Sequence, residues 1–211
     1  MPRPLWSGAI SFGLVSVPVK LYPAVSRKTV RFNQLDKRTG ARIKQKRVSA
    51  ADGEEVPFEE IVKCYEVTKD SYVVVTDDEM MALMPKASRT IDISDFVEQA
   101  EIDPVFYDTG YYLVPDELAR KSYMLLAAAM EEAGRVAIAT FVMRTKQYVA
   151  AIRPVDGYLM LSTMVYADEL IDPAELSGPE GLDEIKVSDA ERAMATSLIE
   201  SLSADFHPEQ Y

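Results

Sequence analysis

Residues 136–166 read VAIATFVMRTKQYVAAIRPVDGYLMLSTMVY and carry the clearest fold signal in the sequence. Three short, mostly apolar runs are separated by charged or turn residues, which is typical of strands rather than of a helix. The runs cover residues 136–143, 148–153 and 158–166. Asp156 and Gly157, between the second and third runs, form a dipeptide that favours tight β-hairpins. The stretch therefore predicts three consecutive antiparallel strands in a meander.

Short extended runs recur through the rest of the chain and indicate a protein built mainly of strands. Near the N-terminus, apolar residues alternate over 10–14 and again over 17–21. Further extended segments are predicted over 27–32, 41–48, 63–67, 72–76, 90–97 and 105–114. Turn residues separate them, notably at 36–40 and 51–53. Many short strands divided by turns are typical of a barrel.

Three segments carry the signals of helices. The first covers residues 77–84 and has acidic residues in its first turn. The second covers 116–132, ends at Gly134, and has an apolar face formed by Leu118, Met124, Leu125 and Ala128. The third opens at Ser188 with a capping box and runs to about Ser203.

Taken together, these elements predict a β-rich α+β fold. We expect a barrel core over residues 1–170 and an acidic helical arm over residues 171–211. The sequence contains no apolar run of about 18 residues, so we expect no membrane-spanning segment. A single cysteine, Cys64, together with the lack of a secretion signal, favours a reducing compartment and a cytoplasmic location.

The charges of the chain are divided unevenly along its length. The net charge is -11, which alone argues against nucleic acid as a partner. However, residues 1–50 contain 11 of the 23 Lys and Arg residues and only 1 of the 34 acidic residues, Asp36. A strongly basic N-terminal part joined to an acidic remainder indicates an anion-binding surface on a body that repels anions.

We call residues 20–47 the basic ribbon. Its cations are Lys20, Arg27, Lys28, Arg31, Lys37, Arg38, Arg42, Lys44, Lys46 and Arg47. In an extended segment, Arg42, Lys44 and Lys46 share one face and Arg47 lies on the other. Aromatic residues are sparse, so the ribbon favours contact with the backbone of a duplex over stacking on single strands. The alternatives are a solvated hairpin, or a docking surface for an acidic protein partner.

Catalytic groups are few. The only histidine, His207, lies four residues from the C-terminus, and we expect Cys64 to be a small buried residue rather than a nucleophile. His and Cys together are too few for a zinc site, and no glycine-rich phosphate loop is present. The sequence thus predicts a protein that is not an enzyme and needs no metal or other cofactor. The alternative is a Mg²⁺-dependent nuclease using Asp92, Asp95 and Glu98, with Glu101 and Asp103 nearby, although alternation directs Asp92 to solvent.

The N-terminal run RPLWSGAISFGLVSVPVKLY, residues 3–22, closely resembles the opening of bacterial Ku proteins. Further segments resemble Ku as well, so that the likeness extends over nearly the whole chain. These are ADGEEVPF at 51–58, IDP at 102–104, YYL at 111–113, GRVAI at 134–138 and AAIRP at 150–154.

The resemblance implies a ring-shaped homodimer that threads onto the ends of double-stranded DNA in non-homologous end joining. Each protomer would contribute a β-barrel and a bridge arching over the DNA, here about residues 27–60. The resemblance also implies a nucleoid-associated protein that recruits the ATP-dependent DNA ligase D. We regard the meander over 136–166 as either the dimer surface or plain barrel core.

Bacterial Ku chains usually continue beyond the position of Tyr211 with a ligase-contacting region and often a Lys-rich tail. We therefore expect this sequence to be a shortened form without that tail. DNA-end binding should be retained in it, while recruitment of ligase D is left open.

Overall fold

The computed structural model describes residues 3–26, 28–85, 88–176, 178, 181 and 184–210. The chain divides into two compact units, Met1–Ala167 and Asp168–Tyr211. Its strands are β1 Trp6–Phe12, β2 Val15–Pro23, β3 Lys63–Thr68, β4 Ser71–Val75, β5 Thr90–Glu98, β6 Tyr107–Pro115, β7 Arg135–Met143, β8 Lys146–Val155 and β9 Tyr158–Met164. Its α-helices are α1 Asp77–Leu83, α2 Arg120–Ala133 and α3 Asp189–Leu202.

Seven strands of the first unit form a closed barrel in the order β1-β2-β6-β9-β8-β7-β5. Every neighbouring pair is antiparallel except β1 and β5, whose parallel pairing over Ala9–Ser11 closes the barrel. The predicted meander is confirmed as β7, β8 and β9. Asp156 and Gly157 both have positive φ, as a tight hairpin turn requires. The prediction of a β-rich α+β fold with a barrel core is therefore confirmed.

Alternation along the strands fills the barrel interior. On β2, Val17, Val19 and Leu21 are almost wholly buried, whereas the residues between them face outward. Ile10 of β1 and Ile91 of β5 pair side by side and are both fully buried. Burying an aliphatic side chain of this size stabilises a fold by about 1.5–3 kcal/mol. This core is therefore the main source of stability in the first unit.

Helix α2 closes one end of the barrel. Its buried residues Tyr123, Leu126, Ala127 and Met130 belong to the same apolar core as the strands. The Tyr123 hydroxyl donates to the carbonyl of Leu113 at 2.6 Å and accepts from the backbone N–H of Leu159 at 2.5 Å. It thus bridges β6 and β9, and burial raises the pKa of Tyr123 so that the hydroxyl stays protonated.

The predicted apolar face of this helix was wrong. Leu118, Met124 and Leu125 are 102%, 51% and 71% exposed, and Ala128 is exposed as well. The buried stripe is instead set by Tyr123, whose aromatic ring is apolar although its hydroxyl is polar. Gly134 ends the helix at φ 60, as predicted.

A long insertion, residues 24–89, leaves the barrel after β2 and returns at β5. The backbone N–H of Ala24 donates to Gly110, and that of Ala9 donates to Arg89, so both ends are fixed on the barrel. None of the described residues between 25 and 85 is buried. The predicted pair of strands near its end is confirmed as β3 and β4, and the short helix after it as α1. The insertion is thus a chain segment without a core of its own.

Two predicted extended segments of the insertion, 27–32 and 41–48, do not appear as strands among the described residues. Residues 28–32 form no strand, and Arg27 lies outside the described residues. Residues 41–48 show only isolated bridges, from Arg42 to Leu35 and from Val48 to Glu55. A polar segment without a neighbouring strand has no ladder to join, so its alternation alone does not make it a strand.

The second unit contains α3, opened by the predicted capping box between Ser188 and Glu191. None of its described residues is buried. Met194, Leu198 and Leu202 lie on one face of α3 and are 61–76% exposed. In the part of the chain that the structure describes, no helix is long and apolar enough to cross a membrane.

The hydroxyl of Tyr123 should contribute measurably to stability. Replacing Tyr123 with Phe leaves a buried carbonyl and a buried N–H unpaired, so the free energy of unfolding should fall by about 1–3 kcal/mol. Urea denaturation measures this change. Tyr158→Phe is the control because its ring is 52% exposed. Equal stability of the two variants would show that the bridge between β6 and β9 is unimportant.

Candidate nucleic-acid interface

The basic ribbon is shaped by a tight turn at residues 36–40. The N–H of Asp36 donates to Ala41 at 2.8 Å, and that of Gly40 donates to Asp36 at 2.8 Å. The Asp36 carboxylate accepts from the backbone N–H of Arg38 at 2.9 Å and from the Thr39 hydroxyl at 3.0 Å. These hydrogen bonds lower the pKa of Asp36, so the single acid of the ribbon stays ionised and holds the turn. The predicted turn is confirmed.

A second turn follows the ribbon at residues 49–54. The N–H of Ser49 donates to Glu54 at 2.8 Å, and that of Gly53 donates to Ser49 at 2.9 Å. Gly53 has φ +78, a conformation that side chains rarely adopt. The segment 41–48 is thus held between two turns, and its cations project from a short connection rather than from a regular sheet.

Three of the predicted cations are paired with carboxylates. Lys20 lies on barrel strand β2 and contacts Asp116 at 2.6 Å. Arg38 contacts Asp36 at 3.4 Å, and Lys46 forms an ion pair with Glu55. The structure therefore separates Lys20 from the other members of the set. Its hydrogen bond to Asp116 raises the pKa of Lys20 and keeps it charged, but that charge is balanced on the barrel.

The other described cations of the ribbon are exposed. Lys28, Arg31, Lys37, Arg42 and Lys44 have no ion-pair partner among the described residues. Arg47 stacks over Phe58, with 5.2 Å from its guanidinium carbon to the ring centroid. A guanidinium on an aromatic ring keeps its charge and some of its donors free. These five exposed cations, together with Arg47, are the candidate contacts for an anionic ligand.

The remaining candidates for chemistry do not assemble into a site. The Asp92 carboxylate accepts from the Thr90 hydroxyl at 2.8 Å and faces outward, as alternation predicted, while Asp95 is exposed. Glu98 pairs with Arg135 at 3.1 Å. Within the described residues, no three His, Cys, Asp or Glu side chains are grouped closely enough to hold a metal ion. The nuclease alternative therefore gains no support from the geometry.

Two further predictions concerned single residues. Cys64 was expected to be buried, and this was wrong, because it lies exposed on β3. The sheet of β3 and β4 has only two strands and no buried face, so alternation within it does not hide any side chain. His207 is 53% exposed and lies 3.6 Å from Glu209.

Sequence reasoning missed the partners that modulate the ribbon. Glu55 and Phe58 lie only nine and eleven positions from the cations they contact, and a second turn after the ribbon was a signal for this proximity. Asp116 is distant from Lys20 in sequence. It becomes a neighbour only because β2 pairs with β6, so no local signal could have found it.

Comparison with known proteins places the whole chain in one family. The family model described as the Ku70/Ku80 beta-barrel domain matches residues 11–194. A protein of Anaeromyxobacter sp. (strain K), named Non-homologous end joining protein Ku, is 51% identical over 212 aligned residues, which cover 100% of this chain and 71% of that protein.

Two further relatives give the same result. Non-homologous end joining protein Ku 1 of Saccharopolyspora erythraea is 45% identical over 100% of this chain and 65% of its own length. Non-homologous end joining protein Ku of Coxiella burnetii is 39% identical over 99% of this chain and 77% of its own length. The chain thus spans about two thirds to three quarters of these relatives.

The ion pair between Lys46 and Glu55 should compete with an anionic ligand for Lys46. Replacing Glu55 with Gln frees this cation, so the affinity for duplex DNA should rise a few-fold, the scale of an exposed ion pair. Glu59→Gln is the matched control because it removes the same charge from an exposed residue nearby. Titration of labelled duplex by fluorescence anisotropy measures both. Equal affinities would mean that Lys46 does not meet the DNA.

Proposed function

The chain belongs to the Ku family of DNA-end-binding proteins of non-homologous end joining, and from this premise we propose that it encircles duplex ends as a ring-shaped homodimer. The observation that carries the proposal is the set of exposed cations on an insertion fixed at both ends to the barrel. An insertion that leaves and returns to a rigid barrel can pass over a duplex without being displaced by it.

Binding would use the phosphates and not the bases. Lys28, Arg31, Lys37, Arg42 and Lys44 supply exposed positive charge on flexible side chains, which suits phosphate oxygens along either strand. Such contacts release counterions, so each neutralised phosphate should add about -0.9 to the slope of log affinity against log salt concentration. The result is strong salt dependence with no preference for sequence.

The acidic remainder of the chain would limit where the DNA lies. Residues beyond 50 contain 33 of the 34 acidic residues, so most of the molecular surface repels phosphates. The duplex would therefore meet the protein mainly at the basic ribbon, because residues 51–89 of the insertion are themselves acidic. Specificity for ends follows from topology, because a closed ring has access to a linear duplex at its ends but has none to a circle.

In this role the protein holds DNA ends and catalyses no reaction, and it requires no cofactor. Recruitment of the ATP-dependent DNA ligase D would then deliver the joining chemistry to the held ends. The bridge over the DNA would include residues 27–60, with the barrel as its base. The acidic arm over 171–211 would not itself bind DNA, since its charge opposes that of the ribbon.

End binding should depend on DNA topology. We expect tight binding to a linear duplex of about 300 base pairs, roughly twice the persistence length of DNA, and little to a covalently closed circle of the same sequence. Gel-shift titration measures both. Equal binding to the two forms would leave a basic surface but remove the ring, and binding to neither would favour the alternative in which the ribbon docks an acidic protein partner.

Charge reversal in the ribbon should weaken binding uniformly across DNA sequences. With Arg31, Arg42 and Lys44 all changed to Glu, the magnitude of the salt slope should fall by about 0.9 for each phosphate that the variant no longer neutralises. The matched control changes Lys121, Lys146 and Lys186 to Glu, three exposed cations outside the ribbon. If the control weakens binding as much as the ribbon variant, net charge rather than the ribbon determines affinity.

A further inference from the structure

The small sheet of β3 and β4 lacks the support that such a sheet needs. It contains only two strands, and all of its residues are exposed except Val75, which is half-buried. A two-stranded hairpin on its own is at best marginally stable in water, and it becomes stable with a third strand or a packed face. Since neither face is buried, a stabilising partner would have to pair with an edge of the sheet.

The two edges of this sheet differ in chemistry. Strand β4 reads SYVVV, without charge or proline, and Tyr72, Val73 and Val74 are 52–55% exposed. Strand β3 reads KCYEVT and carries two charged side chains, Lys63 and Glu66. Charged residues protect an exposed edge from pairing, whereas an uncharged edge rich in β-branched residues is a template for another strand.

The backbone of β4 is available for such pairing. Among the described residues, its hydrogen-bonded partner strand is β3 alone, and no other backbone group bonds to it. Unpaired backbone groups along an exposed strand are the feature that β-augmentation uses. The free edge of β4 is therefore a binding surface for an extended segment.

We propose that the free edge of β4 pairs antiparallel with β4 of a second copy of this chain. The two strands overlap fully when Val73 lies opposite Val73 of the second copy, with Tyr72 opposite Val74 on either side. The sheet then has four strands in the order β3-β4-β4-β3, with the charged strands at its outer edges. A two-fold axis through Val73 makes the interface self-complementary, as in most homodimers.

The partner of this edge is a second copy of β4 because the edge is complementary to itself. Five uncharged residues meet five uncharged residues, and no like charges oppose one another across the axis. The basic ribbon makes a poor interface with its own symmetry mate, since cations would face cations there. In the meander of β7–β9, the inward side chains, such as Ala139, Ile152 and Leu161, are already used in the barrel core. This inference rests on the proposed homodimer and assigns its interface to the free edge of β4. We call this β4–β4 interface the seam.

A disulfide placed on the proposed axis tests the pairing. In a Cys64→Ser background, the full chain has no other cysteine, and Val73→Cys would bring two thiols together across the seam. Opposed residues of antiparallel strands have Cα atoms about 4.5–5.5 Å apart, within the range that disulfides span. We expect mild oxidation to convert most of this variant to a covalent dimer on a non-reducing gel.

Val67→Cys in the same background is the matched control. Val67 is 58% exposed on β3, close to the 54% of Val73. In the proposed sheet the two copies of residue 67 are separated by three strand spacings, about 14 Å, so no disulfide should form. Equal cross-linking of both variants would reflect collision in solution and would overturn the seam.

A second pair of variants keeps the test independent of disulfide geometry. Val73→Lys places two cations at the axis, and we expect the dimer to weaken about tenfold or more in sedimentation equilibrium, whereas Val67→Lys should leave it unchanged. Two results together, for a parent chain that is dimeric, would overturn this inference while the proposed ring survives. They are an unchanged dimer affinity in Val73→Lys and no cross-link in Val73→Cys. A parent chain that stays monomeric with and without duplex DNA would overturn both.

Discussion

Strand β1 closes the barrel because it pairs with a different strand on each of its two edges. On one edge Trp6 pairs with Leu21 of β2, and on the other Ala9 pairs with Thr90 of β5. The insertion therefore leaves and re-enters the barrel at the end where β1 begins, and α2 packs at the opposite end, near Phe12. The insertion, which has no core, is thus attached to the rigid barrel at both of its ends. Without this closure the ribbon would not be fixed at both ends, and its cations would not be held in one region.

Strand alternation made most of the barrel predictable, because a barrel has one interior and every second residue must face it. The same rule fails where there is no interior. Cys64 was expected to be buried and residues 27–32 were expected to form a strand, yet the insertion offers no core, and no strand pairs with residues 28–32. In α2 the error was different, since the buried stripe is set by the Tyr123 hydroxyl reaching between β6 and β9, a tertiary contact.

The residues of the candidate site could be predicted from the sequence, but its effective charge could not. Ten cations could be counted from the sequence, but Lys20, Arg38 and Lys46 are balanced by carboxylates. Two of those carboxylates come from within or just after the ribbon, and the third comes from the strand pairing of the barrel. Since an exposed ion pair is weak, these acids tune the surface rather than neutralise it. In the proposed complex the acidic remainder of the chain would confine anions to the ribbon, although the net charge of the chain is negative.

Every described residue between 25 and 85 is at least partly exposed, and this has a consequence for stability. Ordering a residue costs roughly 1–2 kcal/mol in backbone entropy, and apolar burial is the usual source of compensation. In the insertion, burial within the protomer contributes little of that compensation. Phosphates can offset the cost along the ribbon, but they offer little to Tyr72, Val73 and Val74, which are uncharged and half exposed. These residues need an apolar partner with a free backbone edge. In the proposed dimer an identical strand would supply both, which would link the order of the insertion to assembly of the dimer as well as to DNA.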